Sequence, residues 1–420
     1  MGKARGRAYA AAVERTVRDV AVPSVRRDVL GPSSKRVLGL LGSLLAAIAV
    51  LWTVAPGLVD RQQNAIAPRP RYVPTARAVE LGRRLHLVDL HADSLLWGRD
   101  LLKRNQRGHV DVPRLIEGNV TLQAFTIVTK TPYFVNIDQN GDRSDMITLL
   151  TFLQHWPIAT WRSLKERVLY QARKLDQFAA KSNGSLVLIR SAADLERYLT
   201  RRERDARITA GYLGIEGAHA LEGDLHNIDV FYDAGVRMMA PTHFFDNDIA
   251  GSAHGEHKGG LSDLGREMIR RMEAKHMIVD LAHTSANTID DTLAIATRPI
   301  VVSHTGVRGT CDNNRNLKDE HVRAIAAGGG LIGIGYWAAA ICGDDGRAVA
   351  RAIRHVVDLG GIDHVALGSD FDGATTTPFD TTGLAEIIDA LLEQGFNDAD
   401  IAKIMGENAL RLLRETLPRT

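Results

Sequence analysis

Cysteine is nearly absent: Cys311 and Cys342 are the two in 420 residues, and they form no metal-binding cysteine motif, which excludes a thiolate metal cluster. Charge of one sign is also lacking. A formal net charge of +2 argues against a chain built to bind nucleic acid. No glycine-rich phosphate fingerprint, internal repeat or low-complexity segment is present, so a dinucleotide site and a solenoid drop out. What is present is ordinary globular material, 45% hydrophobic, enough for one large domain or two small ones.

The ends of the chain differ from its middle. Residues 1–36 carry nine Lys/Arg against three acids, a basic arm. From Val37 to Val59 the run "VLGLLGSLLAAIAVLWTVAPGLV" holds no charge, and as a helix it would extend roughly 34 Å, more than a bilayer core of about 30 Å. The arm before it predicts a transmembrane signal-anchor at 37–59, with residues 1–36 cytoplasmic and the rest extracytoplasmic, periplasmic in a Gram-negative cell. A cleaved signal peptide is the rival, with "AIA" at 65–67 as its processing site. Residues 60–77, with Pro68, Pro70 and Pro74, read as a linker before a helix near "ARAVELGRRL".

Beyond residue 78, short aliphatic runs alternate with helical stretches. They are "HLVDLHAD", "VTLQAFTIV", "ITAGYLGIEG", "VRMMAPTHF", "HMIVDLAHTS", "RPIVVSHT", "GLIGIGYW" and "HVALGSDFDG". Between the fourth and fifth, Leu261, Leu264, Met268 and Met272 mark an amphipathic helix, and Asn397 and Asp398 open another through "DADIAKIMGENALRLLRETL". Eight buried strands alternating with helices predict an α/β fold closed as a (β/α)₈ barrel, with a doubly wound open sheet as runner-up. "DQNGDRSD" (138–145) has the outline of a calcium loop, but Arg143 stands at the obligatory glycine position, so it reads as a solvated turn.

In such a barrel the reactive side chains project from the carboxyl ends of the strands. Those ends hold His91 and Asp93, Glu216, His243, His283, His304 and Asp370. Singly, each reads as a satisfied polar residue or a helix cap. Together, at six of eight strand ends, they predict a binuclear metal centre. Three His and two carboxylates can hold two divalent ions with one carboxylate bridging, and this N/O set suits zinc best, with manganese, cobalt or iron as alternatives. Two such ions sharing a hydroxide make a hydrolase site.

These residues carry a resemblance. "DLHAD", "HVDVPRLIEGNV", "GIEGAHAL", "PTHFFDNDIAGSAHG", "LGREMIRRME", "IVDLAHTS", "VVSHTGVRGTCDNNRN" and "LGSDFDG", spread over about residues 78–415, closely resemble the membrane (renal) dipeptidase family of zinc peptidases, in its bacterial branch. The resemblance implies a (β/α)₈ metallopeptidase domain over 78–420, of the metal-dependent hydrolase type. His91 and Asp93 would bind one zinc, His283 and His304 the other, and Glu216 would bridge them. It further implies that His243 steadies the oxyanion, Arg315 of "NNRN" grips the free carboxylate of a dipeptide substrate, and Asp370 shuttles the proton. It supports a Cys311–Cys342 disulfide, a homodimer, and tolerance of a D-residue at the substrate's C-terminal position.

Residues 130–165 fit the family poorly, which leaves side-chain preference open. The chain ends in charged "RETLPRT", without the hydrophobic tail of a lipid anchor, so attachment is expected through residues 37–59. Rival functions are hydrolysis of an N-acyl amino acid or a lactone, and a catalytically silent surface binding protein. Asp372, two residues past Asp370, reads as a turn residue before Gly373.

Overall fold

The structure is a computed structural model that describes residues 32–420, so most of the basic arm lies outside the described residues. It divides at Thr53/Val54 into two units. In the first, the described residues belong to the helix Pro32–Gln63, which runs on into the second.

The second unit is built on parallel strands. In chain order they are β1 (Leu87–Ala92), β2 (Val120–Val128), β3 (Leu186–Leu188), β4 (Thr209–Glu216), β5 (Val236–Met239), β6 (Ile278–Val279), β7 (Val301–Thr305), β8 (Leu331–Ile334) and β9 (Val365–Leu367). β1, β2 and β4 are buried along their whole length, as expected of strands covered on both faces. The sheet order is β6-β5-β4-β2-β1-β9-β8-β7. Its two ends meet through a parallel bridge between Asp280 and Val301, where the Leu281 N–H donates to Val301 O at 2.7 Å. The path thus returns on itself, consistent with a (β/α)₈ barrel whose eight staves are the eight aliphatic runs. β3 is additional. It pairs only with the first residues of β4, and its three residues, Leu186 buried and the next two half-covered, are too short to show a pattern in the sequence.

Helix starts follow the capping residues. Ser262 accepts from the Gly265 N–H at the head of Asp263–Ala274, whose Met268 and Met272 are buried as the periodicity predicts. Asn397 accepts from the Asp400 N–H and opens Asp398–Ala402. That helix continues through a wider turn at Lys403–Glu407 into Asn408–Thr416. Gly406 lies in the wide turn, where a β-carbon would stand 2.0 Å from the His86 carbonyl oxygen. Only glycine lets the helix approach the start of β1 this closely.

The expected membrane anchor finds no support among the described residues. Residues 37–59 are helical, within Pro32–Gln63, but among the described residues no helix is long and apolar enough to cross a membrane. Instead of ending in a free linker, the helix ends as part of the folded unit. Pro56 interrupts its hydrogen-bond ladder, and Val59 packs with Leu96, Trp97 and Val128. Asp60 is buried, 3.1 Å from Arg99 Nε and 2.8 Å from Arg107 Nε. The proline-rich segment after it is docked as well. Ala67 N donates to Thr377 O at 2.8 Å, and Arg69 forms an ion pair with Glu386.

Buried carboxylates peg the strands together. Asp89 of β1 accepts from the Ser369 N–H (2.8 Å), Ser369 Oγ (2.6 Å) and Gln123 Nε2 (2.9 Å), joining β1 to β2 and to the segment after β9. Asp280 accepts from the Ser303 N–H (2.8 Å) across the seam between β6 and β7. Asp372, read from sequence as a turn residue, is fully buried instead. It accepts from Ser94 Oγ (2.6 Å) and the His109 N–H (2.6 Å) and lies 2.8 Å from Arg99 Nη2. Burial opposes its ionisation, but Arg99, His109 and Ser94 outweigh burial and hold the carboxyl far below the usual carboxylate range. A depressed carboxyl contributes its stability above the unfolded pKa of about 3.9 and loses it only as pH falls through the folded value. This tie therefore persists throughout the mildly acidic range. Asp372→Ala strips Arg99 of one of its two buried partners and is expected to cost about 3–5 kcal/mol in denaturant unfolding at pH 7. The penalty should be the same at pH 5.

Candidate metal centre

The strand ends converge on Glu216, the last residue of β4. His283 Nε2 lies 2.9 Å, His304 Nε2 3.2 Å and His91 Nε2 3.6 Å from its Oε1, and His243 Nε2 lies 3.1 Å from its Oε2. Asp93 Oδ1 is 3.5 Å from His91 Nε2. Three overlapping sets, His91–Glu216–His304, Glu216–His243–His283 and His91–Asp93–Asp370, each bring their ligand atoms within 4.8 Å of one another. All seven residues predicted from the strand ends are thus gathered in one buried cluster.

The chemistry of this donor set fits divalent cations. His283 Nε2 and His304 Nε2 are 2.9 Å apart and face the same carboxylate oxygen, while His91 Nε2 and Glu216 Oε1 have no hydrogen-bond partner. Buried acceptors crowded in this way are costly unless a cation lies among them. Burial, reinforced by neighbouring cationic groups, lowers the pKa of His243, His283 and His304 and keeps those imidazoles neutral, the form that binds metal. At His91 burial also disfavours protonation, but Glu216 and Asp93 overcome it and push the ring up to about 10. These carboxylates call for positive charge at this point, and a divalent ion meets that demand while leaving the imidazole neutral. Burial, with Asp93 adding to it, pushes Asp370 up to about 8.

Neighbouring groups fix the orientation of these side chains. Ser303 Oγ lies 3.0 Å from both His91 Nδ1 and His304 Nδ1, so one hydroxyl holds two rings with their Nε2 atoms inward. Thr126 Oγ1 donates to Asp93 Oδ1 at 2.6 Å. His283 (φ 62°) and Asp370 (φ 58°) adopt left-handed backbone conformations, strain of the kind concentrated at functional sites.

Arg315 lies beside the cluster, buried. Its Nη2 donates to His304 O at 2.7 Å, and its guanidinium carbon is 5.4 Å from the centre of the Trp337 ring. Burial, partly offset by Asp370 and Glu216, lowers its pKa to about 10, which leaves it charged at neutral pH. The surrounding "CDNNRN" loop is tied down by hydrogen bonds and a disulfide. Asn313 Oδ1 accepts from the Arg315 N–H (2.9 Å), and Asn316 Nδ2 donates to Cys311 O (2.7 Å) and Ala340 O (3.0 Å). The Cys311–Cys342 disulfide, with Cα atoms 5.3 Å apart, joins this loop to the one after β8.

Some residues of the site carried no sequence signal of a role. Ser303 and Thr126 sit inside aliphatic runs as ordinary strand residues. His254 is buried against His283, their ring centres 5.1 Å apart; its Nδ1 donates to Ile137 O at 2.6 Å and its Nε2 has no partner. The poorly fitting segment lies against this region. Asn140 N donates to His254 O (2.7 Å), and Asp138 accepts from Asn314 Nδ2 (3.0 Å). Half of the turn at 138–145 is exposed, while Asn140 is buried and anchors it and Asp145 pairs with Arg167.

The profile of the membrane dipeptidase family, peptidase family M19, matches residues 75–418. The chain belongs to that family. It is a metallopeptidase-type hydrolase of this membrane dipeptidase group. Among curated relatives, an uncharacterised protein in the pqqA 5′ region of Klebsiella pneumoniae is 33% identical over 57% of this chain and 92% of its own length. Dipeptidase tcpJ of Claviceps purpurea is 27% identical over 79% and 75%. Among solved structures, the probable dipeptidase PvdM of Pseudomonas aeruginosa superposes with a TM-score of 0.69 at 20% identity, covering 82% of this chain and 98% of that one. A metallopeptidase of Rhodobacter sphaeroides, liganded with a phosphinate mimic of L-Ala-D-Ala, gives 0.65 at 23% identity, covering 79% and 99%. These two likenesses support the fold.

Ser303→Ala tests the shared orientation of two candidate ligands. Freeing both His91 and His304 should weaken divalent-metal binding about 10- to 100-fold, measured by competition with a chromophoric chelator, while the melting temperature of the metal-free chain stays near the parent value.

Proposed function

We propose that the chain is a dipeptidase with two divalent ions, zinc by preference, held by His91 and Asp93 on one side, His283 and His304 on the other, and Glu216 between them. When bound, the ions would supply a deprotonated water and polarise the scissile carbonyl. The chain's own residues do the rest. Asp370, buried beside the cluster, takes in its ionised form the proton released by the attacking water and passes it to the leaving amine. His243 donates from its ring to the oxyanion as charge develops there.

One observation carries the choice of a dipeptide. Arg315 is a buried, charged guanidinium beside the metal ligands, and no carboxylate among the described residues lies within ion-pair distance of it. A guanidinium of this kind binds a carboxylate bidentately. Held one residue beyond the scissile bond, it would require the peptide to end there. Extracytoplasmic work is part of the proposal, supported by the Cys311–Cys342 disulfide, since such bonds persist in oxidising compartments.

A panel of Gly-D-Ala, Ala-Ala, Ala-Ala-Ala and N-acetyl-Ala, each with chelator and with added zinc, tests this reading. Cleavage is expected for the two free-amine dipeptides only, and only with metal. Arg315→Met should lower kcat/KM by roughly 10²-fold or more, the value of a charge-assisted pair of hydrogen bonds. Cleavage of N-acetyl-Ala in preference to Ala-Ala would make the protein an N-acyl amino acid hydrolase instead.

A further inference from the structure

Next to the metal ligands, a cavity of about 190 Å³ is bounded by His283 and Arg315 on one side. Its wall also contains Lys258, Arg308 and Lys318, and it contains no Asp or Glu. Lys318 is neutralised by Glu320 at 3.0 Å. The other cations are not. Among the described residues the Lys258 ammonium has no carboxylate or carbonyl partner. Arg308 reaches only to 3.9 Å from Asp312, a side chain 82% exposed, so that pair contributes little.

The position of Lys258 is built rather than accidental. Its backbone is left-handed (φ 52°), its carbonyl accepts from Asn287 Nδ2 (2.9 Å), and the next carbonyl, of Gly259, accepts from Ser285 Oγ (2.6 Å). The loop is thereby stitched to the residues that open the helix Ala286–Ile295. Arg308 is likewise steered, its Nε donating to Asn316 O at 3.3 Å. Lys258 and Arg315, which have no ion-pair partner among the described residues, and Arg308, held only by its weak exposed pair with Asp312, repel one another around one small concavity, and the arrangement becomes favourable when anionic charge enters.

A dipeptide brings one carboxylate, its terminus, which Arg315 can take. Lys258 and Arg308 remain in excess. The side chain of the substrate's last residue springs from the same α-carbon as that terminal carboxylate, so it is the part of the substrate that can reach them. We propose that this cavity is the subsite for the C-terminal residue's side chain, and that Lys258 and Arg308 select a second carboxylate there, as in dipeptides ending in aspartate or glutamate. The proposal rests on the dipeptidase reading.

The test compares kcat/KM of the full zinc-loaded chain for Ala-Glu and for its neutral isostere Ala-Gln, with Ala-Lys as the charge-reversed case. Ala-Glu should exceed Ala-Gln by at least about tenfold, the size of one charge-assisted hydrogen bond, with Ala-Lys slowest. The Glu/Gln ratio should collapse in Lys258→Met, and in Lys258→Glu the preference should shift toward Ala-Lys. Turnover of Ala-Gln by each variant confirms that it is folded. Equal use of Ala-Glu and Ala-Gln by the parent, or a ratio that the Lys258 variants leave unmoved, overturns the anionic subsite while the dipeptidase reading stands. No turnover of any of the three overturns that reading itself.

Discussion

Four imidazoles facing one buried carboxylate form the constraint around which the molecule is arranged. His91, His243, His283 and His304 come from β1, β7 and the segments after β5 and β6, and each directs Nε2 at Glu216. Their approach depends on the closed path of strands, because only a ring of parallel strands brings ends so distant in sequence to a common point. The bridge at Asp280 and Val301, which joins the two ends of the sheet, lies next to two of these imidazole-bearing segments.

The same constraint accounts for the buried carboxylates that bind no ligand. Asp89, Asp280 and Asp372 each accept backbone and side-chain donors from segments far apart in sequence. Their bonds hold the loops at the barrel mouth where aliphatic packing alone, which is non-directional, would leave them free to shift. Ser303 extends this order inward by steering two rings with one hydroxyl. The Arg315 loop, bonded to Ala340 O through Asn316 and tied by the disulfide, then places the guanidinium beside the imidazole cluster. The proposed selection of dipeptides depends on that placement.

Much of this was legible in the sequence, for identifiable reasons. The eight staves announced themselves as aliphatic runs because strands buried on both faces need no alternation. The seven site residues stood out because metal-ligand types at the carboxyl ends of strands are an improbable coincidence. Other features had no local signature. Asp372 sits in a Gly-flanked turn like any other, and its role depends on Arg99 and His109, some 270 residues earlier. β3 is too short to show a period. The uncharged run at 37–59 reads as a membrane span, and hydropathy does not register that Val59 at its end packs against the cluster of Leu96 and Trp97 or that Asp60 beside it sits in a buried ion pair. The cationic cavity was invisible for the same reason, since Lys258 and Arg308 are ordinary surface types until the fold sets them beside Arg315.

The central claim is that Glu216 joins two metal ions, and metal titration tests it most directly. The chelator-stripped chain is titrated with zinc, bound metal is counted by mass spectrometry of the desalted protein, and Glu216→Gln is carried in parallel. The account predicts about two tightly held ions per chain in the parent, with the variant losing affinity for both because its neutral amide can no longer serve them together. Retention of two ions by Glu216→Gln with affinity unchanged, or failure of the parent to hold more than trace metal, would contradict it.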